Sequence, residues 1–316
     1  MRLARAVGFR LLYGLLSLIF ITFVTFVANE AAPADPAVIF AGEKASLADV
    51  QLIRHRMGLD RPWYVRYGES LWKDAHLDFG NSYYGTQEPV GEILKRDVPL
   101  TLRVSLLAIL LASAIGIFLG TLAAVYENRF VDRSVLTLST LGVTLPNFVL
   151  APLLVYVFAL RLNYLPQNWE VTRVAPDFFY LLLPVVILAA RPMAMLTRLT
   201  RASMVDTMRQ EFVRMAIAKG VPTFRVIVRH SLRNAILPVI TSIGTSFGYL
   251  LTGSFVIETI FTLPGIGRET IEAIQARDYP IVQACILVTG MMFVILNMLV
   301  DMILPILDPR IREAQV

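Results

Sequence analysis

Apolar residues run without a charge from Leu11 to Asn29, Val104 to Tyr126, Ser134 to Leu160, Asn234 to Ile257 and Tyr279 to Val300. A sixth run, Phe178 to Thr197, is interrupted by Arg191. A helix needs roughly 20 apolar residues to cross a hydrocarbon layer of about 30 Å, so the pattern predicts six transmembrane helices. The first run is too long for the core of a cleavable leader and lacks a clear small-x-small site behind it, so it is read as a retained span.

Two segments between the runs carry patterns of their own. In 30–100, Pro33, Asp35 and Pro36 oppose continued helix, and Ser46 with Asp49 then marks a helix start. Leu47, Val50, Ile53 and Met57 follow at helical spacing, and Gly58 supplies a stop. The aromatic residues Trp63, Tyr64, Tyr67, Trp72, Phe79, Tyr83 and Tyr84 suit interfacial anchoring and a small apolar core, with a substrate-stacking surface as the other reading. In 198–233, the spacing of Met204, Met208, Phe212 and Met215 places them on one helix face. Lys219 suits the last turn, Gly220 the position just past it, and Pro222 blocks continuation. A second helix begins near Thr223, with Phe224, Val228 and Leu232 as its apolar stripe and Arg225, Arg229 and Arg233 beside it.

Composition agrees with a membrane protein. Of the 316 residues, 56% are hydrophobic and 17% charged, where a soluble domain is about a quarter charged. The net charge of +5 does not indicate nucleic acid, because the basic residues cluster beside the spans. Arg2, Arg5, Arg10, Arg129, Arg133 and the cations of 198–233 lie on one side of a six-span chain; Arg161, Arg173, Arg268 and Arg277 lie on the other. Both termini and the 198–233 loop are therefore expected in the cytoplasm. Cys285 is the one cysteine, so no intrachain disulfide or cysteine metal cluster forms. His55, His76 and His230 are scattered, which leaves a histidine metal site or a Ser-His pair without support. The chain lacks a G-x-x-x-x-G-K-[ST] phosphate loop and is not expected to hydrolyse ATP or to bind a cofactor itself.

Inside the spans, Ala112, Gly116 and Gly120 form a small-residue face for close helix approach. Thr241, Thr245, Gly248 and Ser254, with Asn147 behind Pro146, suit either a polar translocation path or tight packing. Arg191 and Asp301 are costly charges in a bilayer. Each falls about 10 Å from the cytoplasmic end of its span, so they are candidate partners, with snorkelling of Arg191 as the alternative. On spacing alone, the 198–233 loop serves equally as a lipid-phosphate anchor or as a helix-in-groove docking element.

The stretch Glu211-Phe-Val-Arg-Met-Ala-Ile-Ala-Lys-Gly220 resembles the cytoplasmic EAA loop of binding-protein-dependent ABC importer permeases. The dipeptide/oligopeptide/nickel branch is further suggested by Pro33-Ala-Asp-Pro36, Met57-Gly-Leu-Asp-Arg-Pro62, Leu77-Asp-Phe-Gly-Asn-Ser82, Phe261-Thr-Leu-Pro-Gly-Ile-Gly267 and Asp308-Pro-Arg310. The generic glutamate of that loop falls at Arg214, and Arg233 replaces a proline after Leu232. The resemblance implies an all-α integral membrane permease with an N-terminal helix (1–29) and an extracytoplasmic segment (30–100). A five-helix core (101–307) would follow, with a coupling loop at 198–233 between helices four and five and a cytoplasmic tail at 308–316. Met208, Glu211, Phe212, Arg214, Met215, Ala216, Lys219 and Gly220 would then meet the ATPase. Its implied partners are a second homologous permease subunit, two cytoplasmic ATPase subunits carrying ATP and Mg2+, an extracytoplasmic substrate-binding protein and membrane lipid. The implied cargo is a short peptide, glutathione or a nickel chelate, and a self-contained secondary carrier or channel is the competing class.

Overall fold

The computed structural model describes residues 2–31, 35–41, 45–84, 87–169 and 176–307. The helices are α1 Arg2–Ala31, α2 Pro36–Ala41, α3 Leu47–Arg56, α4 Trp63–Ala75, α5 Val90–Val125, α6 Phe130–Thr144 and α7 Asn147–Leu154. They continue with α8 Asp177–Met208, α9 Glu211–Ala218, α10 Thr223–Arg225, α11 Arg233–Ala235, α12 Leu237–Ile260, α13 Ile266–Ala276 and α14 Tyr279–Leu307. Helices α7 and α10 run on into π-helical turns at Val155–Arg161 and Val226–Leu232. Among the described residues there is no strand, only an isolated bridge between Asn81 and Pro89.

Five of these helices are long and apolar enough to cross a membrane: α1, α5, α8, α12 and α14. The expected continuous helix over Ser134–Leu160 is corrected: α6 and α7 with its π-helical turns meet at 103° and make a sixth span only if counted together. The break falls where a proline dictates it. Leu145, preceding Pro146, is held extended at φ −79° and ψ 118°, because the proline ring disfavours helix at the residue before it.

The chain forms two compact units. One comprises residues 1–101 and 264–294. Its core gathers Val90, Ile93 and Leu94 from α5, Ile266 and Ala273 from α13, and Ile281, Ala284 and Cys285 from α14. A Cβ at Gly290 would lie 2.9 Å from Ile21 Cδ1, so α14 lies close against α1. Tyr67 of α4 donates its hydroxyl to the Ile19 carbonyl at 3.1 Å and meets the Phe23 ring edge-on. Ser46 caps α3 in a reciprocal box with Asp49, as the sequence predicts, and Gly58 stops the segment at φ +68°. The stripe of α3 does not enter a core, however: Leu47 is 85% exposed. Ser82 Oγ and the Tyr83 N–H both donate to Asp278 Oδ2. Burial and the Asp278 charge together push the Tyr83 phenol up to about 12.

The other unit comprises residues 102–263 and 295–316. Its centre is α8, buried along most of its length. The small-residue face of α5 proves to be a packing face. A Cβ at Gly116 would approach Leu196 Cβ to 2.9 Å, and one at Gly120 would sit 2.5 Å from the Thr197 carbonyl oxygen. Gly142 of α6 likewise lies against Ala190 and Ala194. Glycine is required at these crossings because backbone occupies the space a side chain would take.

Candidate functional site

The 198–233 segment begins as the last turns of α8. Gln210 is extended at φ −74° and ψ 153°, which ends that helix and opens α9. The expected single face of Met204, Met208, Phe212 and Met215 is therefore corrected. Met204 is fully buried among Ala124, Val205 and Ala235, with Met208 packed beside it. Phe212 instead leans on a separate cluster of Val213, Ala216 and Val226. Two apolar clusters thus hold the two sides of a kink.

Helix α9 closes as the glycine predicts. Gly220 takes φ +76°, its N–H bonds the Ile217 carbonyl at 2.9 Å, and the Val221 N–H bonds the Ala216 carbonyl at 3.2 Å. This is the Schellman pattern, and Val221 completes it by packing with Phe212 on the inner cluster. The amphipathic α9 turns Val213 and Ala216 inward. Met215 and Ile217 stay 59% and 60% exposed, beside exposed Glu211, Arg214 and Lys219. In the next helical stretch Phe224 is 77% exposed while Val226 and Ser231 are buried. A π-helical turn closes over about five residues rather than four, so positions five apart share the inner side. Of the residues expected at the coupling surface, Glu211, Arg214, Met215, Lys219 and Gly220 are exposed; Met208, Phe212 and Ala216 face the unit's own core.

Ionic ties fasten this region to α6 and to the turn that precedes it. Asp132 is 2% exposed and receives a two-pronged hydrogen bond from Arg201, with Arg201 Nη2 donating to Oδ2 at 2.6 Å. The Asn128 N–H donates to the same carboxylate at 2.8 Å. Arg209 donates to Glu127 at 2.7 Å, more openly.

A cavity of about 590 Å³ lies in the same unit, walled by α8 and α12 and by Asn147 of α7. Asn147 and Thr245, two of the expected path residues, line it together with Arg191, Ser242, Ser246 and Tyr249. Thr241, Gly248 and Ser254 do not. Thr241 bonds back to the Leu237 carbonyl, and Ser254 is fully buried, donating to the Leu251 carbonyl at 3.0 Å. Gly244 serves packing, since its Cβ would overlap Val300 at 2.4 Å. The side chain of Asp301, expected opposite Arg191, lies outside the described residues. Among the described residues no group of three or more His, Cys, Asp or Glu side chains is placed to hold a metal.

Residues 116–313 match the family described as binding-protein-dependent transport system inner membrane component, and residues 3–105 match its N-terminal membrane component. A protein of Brucella abortus named as a peptide transport system permease is 38% identical over 314 residues, covering 98% of this chain and 97% of its own. A Sinorhizobium fredii protein named as a peptide ABC transporter permease is 37% identical over 284 residues, 89% of this chain and 90% of its own. The glutathione transport system permease of Escherichia coli K12 is 37% identical over 280 residues, with the same coverage. With both segments matched and the relatives aligned almost end to end, the chain belongs to the binding-protein-dependent transport permeases, the non-enzymatic, multi-pass membrane subunits of ABC importers whose ATP hydrolysis resides in separate subunits.

Proposed function

We propose that this permease pairs with a second, homologous permease subunit in the cytoplasmic membrane to form a path for short peptides, with both termini and the 198–233 loop in the cytoplasm. The names of the relatives support a peptide cargo, and the glutathione permease among them brings tripeptides within its range. An extracytoplasmic binding protein delivers the cargo, and two ATPase subunits, carrying ATP and Mg2+, dock on α9. Residues 30–100 and the neighbouring aromatic rings face outward, and membrane lipid covers the apolar spans.

One observation carries the docking assignment. Helix α9 is anchored from inside by Val213 and Ala216, yet keeps Met215 and Ile217 in the open, close in sequence to exposed Phe224 and a row of arginines. Exposed apolar side chains rimmed by charge suit a protein partner. The mechanical route follows from α8. Its helix runs unbroken from the cavity at Arg191 to Met208, about 26 Å at 1.5 Å per residue. A rigid-body displacement of α9 therefore reaches the cavity wall through α8, with the Asp132–Arg201 pair obliging α6 to follow. Asn147 and Thr245 hydrogen-bond the solute in passing, while Thr241, Gly248 and Ser254 set the packing of α12 behind them.

The test is uptake of labelled dipeptides and glutathione by cells expressing this chain with its ATPase and binding-protein partners. Uptake is expected to cease when the ATPase subunits are deleted. Uptake that continues without them contradicts the proposal and favours a self-contained carrier.

A further inference from the structure

The cavity in the second unit presents a single formally charged side chain, Arg191, among five hydroxyls, the Asn147 amide and the apolar Leu188, Pro192, Met195 and Leu250, and its wall includes no aspartate or glutamate among the described residues. Arg191 sits near the middle of α8, about 21 Å along the helix from Asp177. A cation at that depth is unfavourable by at least a few kcal/mol unless water, an anion or a polar cavity receives it. Among the described residues it makes no ion pair or side-chain hydrogen bond, it is exposed, and the other polar side chains of the lining, Asn147 included, are neutral. A guanidinium offers a planar fork that matches a carboxylate with two parallel hydrogen bonds.

We propose that Arg191 makes this cavity a transient holding point for the carboxylate of a passing solute, so that the translocation step itself favours anionic and free-carboxylate peptides over cationic or amidated ones. This rests on reading the cavity as part of the translocation path. The hydroxyls and the Asn147 amide hydrogen-bond the peptide groups, and the lone cation sets the charge preference. Passage requires that the hold be weak, which a solvated, single-arginine site provides.

The charge preference can be read without knowing the natural cargo. Thr245→Cys places a thiol in the wall at an exposed position, while the native Cys285 is buried and gives the background in the parent chain. In membrane vesicles holding the assembled importer, that thiol is reacted with an anionic (sulfonatoethyl) or a cationic (trimethylammonioethyl) methanethiosulfonate, with and without ATP. Rates are normalised to free cysteine. The anionic-to-cationic ratio is expected to fall at least fivefold on adding Arg191→Gln and to persist with Arg191→Lys. An unchanged ratio, as when Asp301 or a lipid phosphate neutralises Arg191, overturns the anion preference and leaves the path reading intact. No reaction at Thr245→Cys with either reagent in either nucleotide state overturns the path reading as well.

Discussion

Gly220 gives the sharpest test of the coupling role proposed for the 198–233 loop, because its substitution changes backbone cost and little else. A Cβ at Gly220 meets nothing within 4 Å, so no clash contributes. The penalty is that of holding an L-residue at φ +76° in the bonds that close α9. For a residue with a Cβ that is about 1–2 kcal/mol, at the low end for alanine and at or beyond the high end for a β-branched side chain. Asparagine, which tolerates this region, loses least. A penalty of 1–2 kcal/mol lowers the closed form of the loop by roughly 5- to 30-fold. ATP-driven uptake into proteoliposomes, normalised to co-purified ATPase, is therefore expected to rank glycine, asparagine, alanine, valine from highest to lowest. Wild-type uptake by Gly220→Val at normal assembly shows that the left-handed glycine is not needed for coupling. Equal loss for asparagine and valine refutes the reasoning, because the cause is then not the backbone.

Other substitutions probe the supports of the loop. Gly120→Ala places a methyl 2.5 Å from the Thr197 carbonyl, so it should lower the unfolding temperature in detergent by an amount equivalent to about 1–3 kcal/mol. Gly253→Ala, with open space around it, should change the same scan little. Asp132→Ala removes the acceptor for Arg201 and for the Asn128 N–H, and a cost of about 2–4 kcal/mol is expected, read by the same scan. Asp74 is buried, which raises its pKa, and the Gln283 amide bond at 2.8 Å only partly offsets that. Its folded pKa lies above its unfolded one, so its contribution is full below about pH 3.9 and declines as pH rises through the folded value. Asp74→Asn should flatten that part of the stability–pH curve, measured by thermal denaturation from acid to neutral pH.

The sequence reports the local parts of this molecule well. Gly220 followed by Pro222 announces its own turn, and the four-residue spacing of Ala112, Gly116 and Gly120 announces a crossing, because both are set by backbone within one turn. The break between α8 and α9 is invisible to periodicity: no glycine or proline marks Arg209–Gln210, and the spacing of the methionines survives a two-residue interruption. Pro146 did carry the break of the third span, but the unbroken apolar run around it argued for continuity. In α12 the small polar residues are not sorted by helical phase alone. Ser242, Thr245, Ser246 and Tyr249 line the cavity and Thr241, Gly248 and Ser254 do not, although Thr241 stands four residues and Gly248 three from Thr245 on the same helix face. The faces of a helix are legible from its period, but how far along a face a cavity extends is settled by the neighbouring α8. The Asp132–Arg201 pair joins residues far apart in the chain, and no spacing rule connects them.

The proposed docking of α9 on a separate ATPase has a direct test. A cysteine at the exposed Met215, in the assembled importer, should form a site-specific cross-link to the ATPase subunit from the cytoplasmic side, with a yield that changes between nucleotide-free and ATP-bound states. A Met215→Cys chain that supports uptake yet cross-links to no ATPase in either state, or whose thiol reacts with impermeant reagents only from outside the cell, contradicts docking of α9 on the ATPase.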